Sequence, residues 1–164
     1  MQINTLGDVQ IRNCEPANLI PVMEINLKTL PEHYSDYFYE TLLRELPEAF
    51  LVAEISKNII GYMMCKTEYG FSNFKKLGFI KKGHMVSVAV LPEYRKKGIG
   101  KSIIAESIQR IRKVGCAEFY LEVRSSNFAA VKMYESLGFS IRQRLNAYYR
   151  DGEGAYMMSI DLKP

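Results

Sequence analysis

Met85–Leu91 (MVSVAVL), then Pro92-Glu93-Tyr94, then Arg95-Lys96-Lys97-Gly98-Ile99-Gly100-Lys101 is the stretch on which the reading of this chain turns. Its first part is an apolar run broken only by Ser87, the pattern of a strand buried on both faces. Beyond Gly100, Ile104, Ile108 and Ile111 recur on one stripe of a helix that leaves Gln109, Arg110, Arg112 and Lys113 outward and reaches about Val114. Gly115 is placed to cap it. The glycine-rich turn therefore joins a buried strand to a helix start. Such a start presents unpaired backbone N–H groups and partial positive charge, and binds anions readily. Gly98 and Gly100 let the backbone come close to a phosphate. Arg95, Lys96, Lys97 and Lys101 add formal charge around the same point, so a diphosphate is the ligand that suits it.

Two familiar phosphate loops fail on residues. A Walker A loop ending in Gly100-Lys101-Ser102 needs glycine at 95, where Arg95 stands. A dinucleotide fingerprint starting at Gly98 needs glycine at 103, where Ile103 stands.

Working outward, Val9–Cys14 reads as an opening strand. Ala17–Leu30 has helical spacing through Leu19, Val22, Met23, Asn26, Leu27 and Leu30, ended by Pro31. Tyr34–Leu46 is a second helix closed by Pro47. Phe50–Ile55 and Ile59–Lys66 are strands joined by a short hairpin loop. Glu68–Gly83, with three glycines, reads as loop. Ala117–Val123 is a strand, and Asn127–Leu137 a helix stopped by Gly138. Phe139–Tyr149 and Ala155–Leu162 are final strands flanking the turn signal Asp151-Gly152. The predicted order is β α α β β β α β α β β: an α/β (α+β) fold with a mixed, mostly antiparallel sheet of about seven strands and helices on both faces.

The turn R-x-x-G-x-G at Arg95–Gly100 resembles the acetyl-coenzyme A pyrophosphate loop of the GNAT superfamily of N-acetyltransferases. Asn127-Phe128-Ala129-Ala130-Val131-Lys132-Met133-Tyr134-Glu135-Ser136-Leu137-Gly138-Phe139 resembles that superfamily's N-x-x-A-x-x-x-Y-E-x-x-G-F element, in the right order after it. The resemblance implies the GNAT fold with a V-shaped cofactor opening. It implies acetyl-CoA as cofactor, held by Arg95–Lys101, by the backbone of Val88, Ala89 and Val90, and by Asn127. Tyr134 would lie near the thioester sulfur and protonate the departing thiolate.

Three more stretches are similar to the catalytic subunits of protein N-terminal acetyltransferases, the archaeal Ard-type and RimI-like groups. They are Leu30-Pro31-Glu32-His33-Tyr34, Tyr120–Asn127 (YLEVRSSN) and Tyr148–Met157 (YYRDGEGAYM). Gly154 departs from the last pattern, which often carries a second Asp there. By this resemblance His84 and Glu122 hold a water that removes the amine proton. Leu30, Pro31, Glu32, Tyr34, Tyr148 and Tyr149 grip the first residues of the substrate. For Glu122 a structural salt bridge to Arg124 is the competing explanation. A covalent route through Cys116 or Cys65 is the alternative chemistry, with no histidine beside either in sequence.

Physical chemistry favours an α-amine acceptor: with reference pKa values near ~7.8 and ~10.4, its neutral fraction at neutral pH exceeds that of a lysine roughly 400-fold. Lysine or small-amine acetylation, and a non-catalytic acetyl-CoA sensor, are the alternatives.

The 164 residues, 48% hydrophobic and 24% charged, fit one globular domain spanning 1–164. The start MQINTLGDVQIRN has no basic segment followed by an apolar run, and no apolar stretch approaches the ~20 residues of a membrane span. Cys14, Cys65 and Cys116 are too few and scattered for a disulfide framework or zinc cluster, so no metal is expected, and a reducing cytoplasm is the expected compartment. The net charge is +4. Lys75, Lys76, Lys81 and Lys82 read as solvated surface. The expected partners are protein N-termini, with a ribosome or auxiliary subunit as a further possibility, and neither nucleic acid nor membrane.

Overall fold

The computed structural model describes residues 8–163. The reading of the N-terminal start falls partly on residues 1–7, which lie outside them. The elements are β1 (Gln10–Asn13), α1 (Leu19–Thr29), α2 (Asp36–Glu45), β2 (Phe50–Ile55), β3 (Asn58–Phe71), β4 (Phe79–Val90), α3 (Ile99–Lys113), β5 (Glu118–Arg124), α4 (Phe128–Ser136), β6 (Ser140–Leu145) and β7 (Ala155–Asp161). This is the predicted order. The strands form one seven-stranded sheet, ordered β1-β2-β3-β4-β5-β7-β6. The β4–β5 pair is parallel, whereas β1–β2, β2–β3, β5–β7 and β6–β7 are antiparallel.

Among the described residues the chain divides into two compact units. One comprises residues up to Lys66 with Val86–Arg110; the other comprises Thr67–Met85 and the residues from Ile111 onward. In the first unit, Val22, Ile25, Tyr39, Leu42, Phe50, Val52, Tyr62 and Met64 form a buried cluster. The face of α1 is the expected one at Leu19, Val22 and Asn26, but Ile25 joins it and Leu27 does not. Leu19, Val22, Ile25 and Asn26 are buried, while Leu27 is 63% exposed. Asn26 takes the inward place because its amide is satisfied there, donating to the Glu32 carbonyl and the Tyr62 hydroxyl, each at 3.1 Å. The second helix starts at Asp36, since the Ser35 hydroxyl accepts from the Phe38 N–H at 3.2 Å and fixes the cap there.

The apolar run of β4 is not buried on both faces. Met85, Ser87 and Ala89 are buried, and Val86, Val88 and Val90 are half-buried. The expected loop over Glu68–Gly83 is also corrected. Strands β3 and β4 run through most of it, leaving a turn between Phe71 and Phe79 that the Ser72 N–H closes onto the Gly78 carbonyl at 2.7 Å. The Glu118 carboxylate anchors that turn, accepting from the Ser72 hydroxyl and from the Asn73 N–H at 2.8 Å. Gly83 looked like a loop residue but marks close packing within a strand. A Cβ there would fall 2.6 Å from the Ile111 Cγ2 atom.

The last hairpin is looser than Asp151-Gly152 suggested. Strand β6 stops at Leu145, and the chain turns within residues 146–154. Gly152, at φ +88°, donates to the Tyr149 carbonyl at 2.9 Å. The turn is real, but a second reversal at Ala147 (φ +49°) opens the hairpin before it.

Candidate active site

In the first unit, α3 begins at Ile99, whose side chain is buried, while Arg95, Lys96, Lys97, Gly98 and Lys101 are exposed. The Ser102 N–H donates to the Gly98 carbonyl at 3.0 Å and closes the first full turn. The amides of Ile99, Gly100 and Lys101 precede that bond and lie at the open end of the helix. Gly98 sits at φ +81° and Lys96 at φ +60°, so the loop bends back around that point. Arg95 donates from Nε to the Val90 carbonyl at 3.0 Å, and the Lys97 ammonium lies 5.6 Å from the Tyr94 ring. Exposed amides and cations at one helix start fit an anionic diphosphate, the group that coenzyme A carries.

The same unit holds the segment from Leu30 to Tyr34. Leu30 is the C-cap of α1, and its carbonyl meets the His33 imidazole Nε2 at 2.7 Å. Pro31 is exposed and Glu32 half-buried. The Tyr34 ring stacks on Phe38 at 4.9 Å, and its hydroxyl donates to the Val86 carbonyl at 3.4 Å. Behind them the Tyr62 hydroxyl, which receives the Asn26 amide, also bonds the Ser87 hydroxyl at 2.6 Å. This buried chain of polar groups fixes the end of α1 against β3 and β4.

In the second unit, β4 and β5 pair in parallel from Lys82↔Glu118 to His84↔Tyr120. That register puts the His84 ring flat against Tyr120, centroids 4.4 Å apart and planes 6° from parallel. Two residues on, on the same face of β5, Glu122 places Oε2 2.6 Å from His84 Nε2. A carboxylate only accepts, so Nε2 carries the proton and a neutral imidazole presents a lone pair at Nδ1. Nδ1 is buried and has no hydrogen-bond partner among the described residues. Arg124 reaches Asp151 at 2.8 Å and Glu153 at 3.4 Å. The salt-bridge explanation for Glu122 thus gives way to a histidine–carboxylate pair.

Tyr134, on α4, is 6% exposed, and its hydroxyl faces the Met85 sulfur at 4.0 Å. Burial pushes its phenol up to about 12, further above neutral pH than an ordinary phenol. Asn127 caps α4, its side-chain oxygen accepting from the Ala130 N–H at 3.2 Å. In the 146–154 loop, Tyr148 and Tyr149 pack edge to face at 5.0 Å. The Arg124 guanidinium lies 4.0 Å over the Tyr149 ring.

Residues 19–139 match the acetyltransferase (GNAT) family. The chain is 43% identical over 157 residues to an N-alpha-acetyltransferase of Sulfurisphaera tokodaii, covering 94% of each. It is 35% identical to the N-terminal acetyltransferase complex ARD1 subunit homolog of Dictyostelium discoideum, covering 95% of this chain and 74% of that one. Among solved structures, Chaetomium thermophilum Naa20 in complex with a bisubstrate analogue superposes with a TM-score of 0.79 at 30% identity, covering 93% of this chain and 86% of that one. The chain belongs to the GNAT acetyltransferase family.

For this GNAT acetyltransferase the cysteines offer no alternative nucleophile. All three are buried and outside any disulfide, and burial pushes Cys14 up to about 12 and raises Cys116. Among the described residues no group of three or more His, Cys, Asp or Glu could hold a metal ion, and no helix is long and apolar enough to cross a membrane. Sequence reasoning missed Tyr120, whose ring orients His84 and whose hydroxyl donates to Glu68. It also missed the Asn26–Tyr62–Ser87 chain. The signal for that was a polar residue on the apolar stripe of α1.

Proposed function

We propose that this acetyltransferase moves the acetyl group of acetyl-CoA to the free N-terminal amine of proteins, by direct attack in a ternary complex. The observation that carries the reading is the His84–Glu122 pair, 2.6 Å apart, with His84 Nδ1 left without a partner among the described residues. The similar proteins named as N-alpha-acetyltransferases support the same acceptor.

When bound, acetyl-CoA supplies an activated thioester, and Arg95–Lys101 with the backbone of Val88–Val90 and the Asn127 amide are the groups that hold it. His84 and Glu122 together hold the water that takes the amine proton, and Glu122 steadies the imidazolium that forms when His84 receives it. The Tyr134 phenol, which holds its proton at neutral pH, delivers it to the leaving sulfur. Backbone N–H near Val90 polarises the carbonyl. Leu30, Pro31, Glu32 and Tyr34 in the first unit, and Tyr148 and Tyr149 in the second, are the candidates for contacting the first residues of the substrate.

A cytoplasmic location is proposed from Cys14, Cys65 and Cys116, which form no disulfide. An auxiliary subunit as partner is proposed from the relative named as a complex subunit homolog.

The test is acetyl transfer to short peptides with free termini, beside N-terminally blocked copies that contain lysine. Turnover on free termini alone supports the reading. Equal turnover on blocked lysine peptides overturns it in favour of lysine acetylation, and cofactor binding without turnover on either points to a small amine or a sensor.

A further inference from the structure

The turn between β3 and β4 carries a feature that acetyl transfer does not use. Tyr69, Phe71 and Phe79 are exposed by 68%, 74% and 66%, and Leu77 by 99%. Large rings on a strand surface are normally turned inward, and three together call for a reason. Tyr69 and Phe71 alternate on β3 and so share a face, and Phe79 on β4 meets Phe71 edge-on at 5.6 Å. The three rings therefore line one side of a two-stranded ribbon.

The charge of the ribbon matches. Lys66–Lys82 contains five lysines (66, 75, 76, 81, 82) and one glutamate (68), a net +4, and the whole chain also carries +4. The remaining residues are thus balanced, and the excess lies on this hairpin. Lys81 and Lys82 are partly committed, donating to the Val114 and Phe71 carbonyls at 2.8 and 2.9 Å. Lys75 and Lys76 are exposed at the turn. Arg142, on edge strand β6, is exposed, lies 4.5 Å over the Phe74 ring and donates to the Asn73 carbonyl at 3.0 Å. The preference for plain solvated lysines does not account for the rings beside them.

We propose that the β3–β4 hairpin binds single-stranded RNA, with Tyr69, Phe71 and Phe79 stacking on bases and Lys75, Lys76 and Arg142 meeting phosphates. Rings interleaved with cations on an open strand face are the combination that holds an unpaired nucleic acid. An anionic membrane is less well served. The three exposed rings lie along the ribbon, while at the turn that would enter a bilayer first Leu77 is the one fully exposed apolar side chain and stands beside the Lys75 and Lys76 ammonium groups. Tyr69, Phe71, Lys75, Lys76, Phe79 and Arg142 are not among the residues of the proposed active site, which lies further along β4 at His84 and Val88–Val90, so RNA binding can fail while the acetyl-transfer reading stands, and the reverse.

The experiment measures binding of the whole protein to a fluorescent 12-nucleotide oligo(U) by anisotropy over a range of salt. Lys75→Glu/Lys76→Glu should weaken binding and flatten the salt slope by about 1.4 in log–log terms, roughly 0.7 for each phosphate that a lysine no longer neutralises. Phe71→Ala and Phe79→Ala should each weaken it roughly tenfold with the salt slope kept. Both substitutions are at exposed positions, and unchanged acetylation of a short peptide would certify each fold. No binding of oligo(U), or binding indifferent to both ring substitutions, overturns the proposal. So does tighter capture by phosphatidylglycerol vesicles than by RNA, which would assign the hairpin to a lipid surface.

Discussion

His84 and Tyr120 are register partners on parallel strands, and their rings stack 4.4 Å apart within 6° of parallel. A stacked imidazole has little freedom to turn about its long axis. Its Nε2 is thereby held toward Glu122 and its Nδ1 on the opposite side of the ring. Tyr120→Leu removes the stacking surface but no titrating group of the proton path. It should lower kcat roughly tenfold with little change in KM. Glu122→Gln keeps an acceptor beside Nε2 but loses the charge that stabilises the imidazolium, and should lower kcat by about 10²-fold or more. Wild-type kcat in Glu122→Gln would remove the pair from the mechanism.

Tyr134→Phe should lower kcat by about 10²-fold while leaving acetyl-CoA affinity nearly unchanged. The phenol also marks the pH dependence of stability. Its folded value, pushed up to about 12, lies above an unfolded value near 10. The folded state therefore holds a proton that the unfolded state has released between those values. The stabilisation is complete below about pH 10 and is lost as pH rises toward about 12. Denaturant titrations at about pH 9 and 11 should show a smaller loss for Tyr134→Phe than for the parent.

The two glycines of the anion turn should answer differently. Gly98 holds φ +81° with open space around it, so Gly98→Ala should cost about 1–2 kcal/mol of stability from backbone strain alone. At Gly100 a Cβ would meet only the Val90 Cγ2 atom at an ordinary 3.7 Å, so Gly100→Ala should fold normally. If phosphate sits at this helix start, Gly100→Ala raises the KM for acetyl-CoA while the melting temperature holds. A KM equal to wild type would place the diphosphate elsewhere.

Gly83→Ala should be among the more damaging small substitutions. The added methyl meets Ile111 Cγ2 at 2.6 Å and Phe119 Cδ1 at 3.1 Å, both on buried side chains. Overpacking of this kind costs about 1–3 kcal/mol, which thermal melts would register as a drop of several degrees. Because His84 is the next residue, kcat should fall as well.

Asn26→Leu fills the same space but leaves the Glu32 carbonyl without its amide donor. Stability should drop by about 1–3 kcal/mol. The KM for peptide should rise more than that for acetyl-CoA, because the segment from Leu30 to Tyr34 loses its tether. Equal changes in both would make Asn26 a purely structural group.

The fold was legible wherever one physical signal acted alone. Ile104, Ile108 and Ile111 announced their helix because a three-to-four spacing has no other use in a buried stripe. Asn127 and Gly138 bracketed α4 by cap chemistry. The reading failed where two demands shared one residue. Gly70 and Gly83 carry the composition of a loop but lie within strands, and the packing against Gly83 is a matter of tertiary structure that no local window holds. Leu27 matched the helical period yet faces solvent, because Asn26 had partners waiting inside. Of the proposed site, His84 and Glu122 could be named from the family pattern. Tyr120, which orients one of them, could not, because stacking across a parallel pair depends on register.

That register makes β5 a strand with two owners. Phe119, Leu121 and Val123 are buried, and Tyr120, Glu122 and Arg124 occupy the alternate positions. Insertion or loss of a single residue would exchange the two sets at once, sending a carboxylate into the core and a leucine toward the reactants. Substitution is gentler, since either set can vary while the other stays. The spacing of the strand, rather than any one of its side chains, is therefore what keeps the Tyr120 and Glu122 face apart from the core.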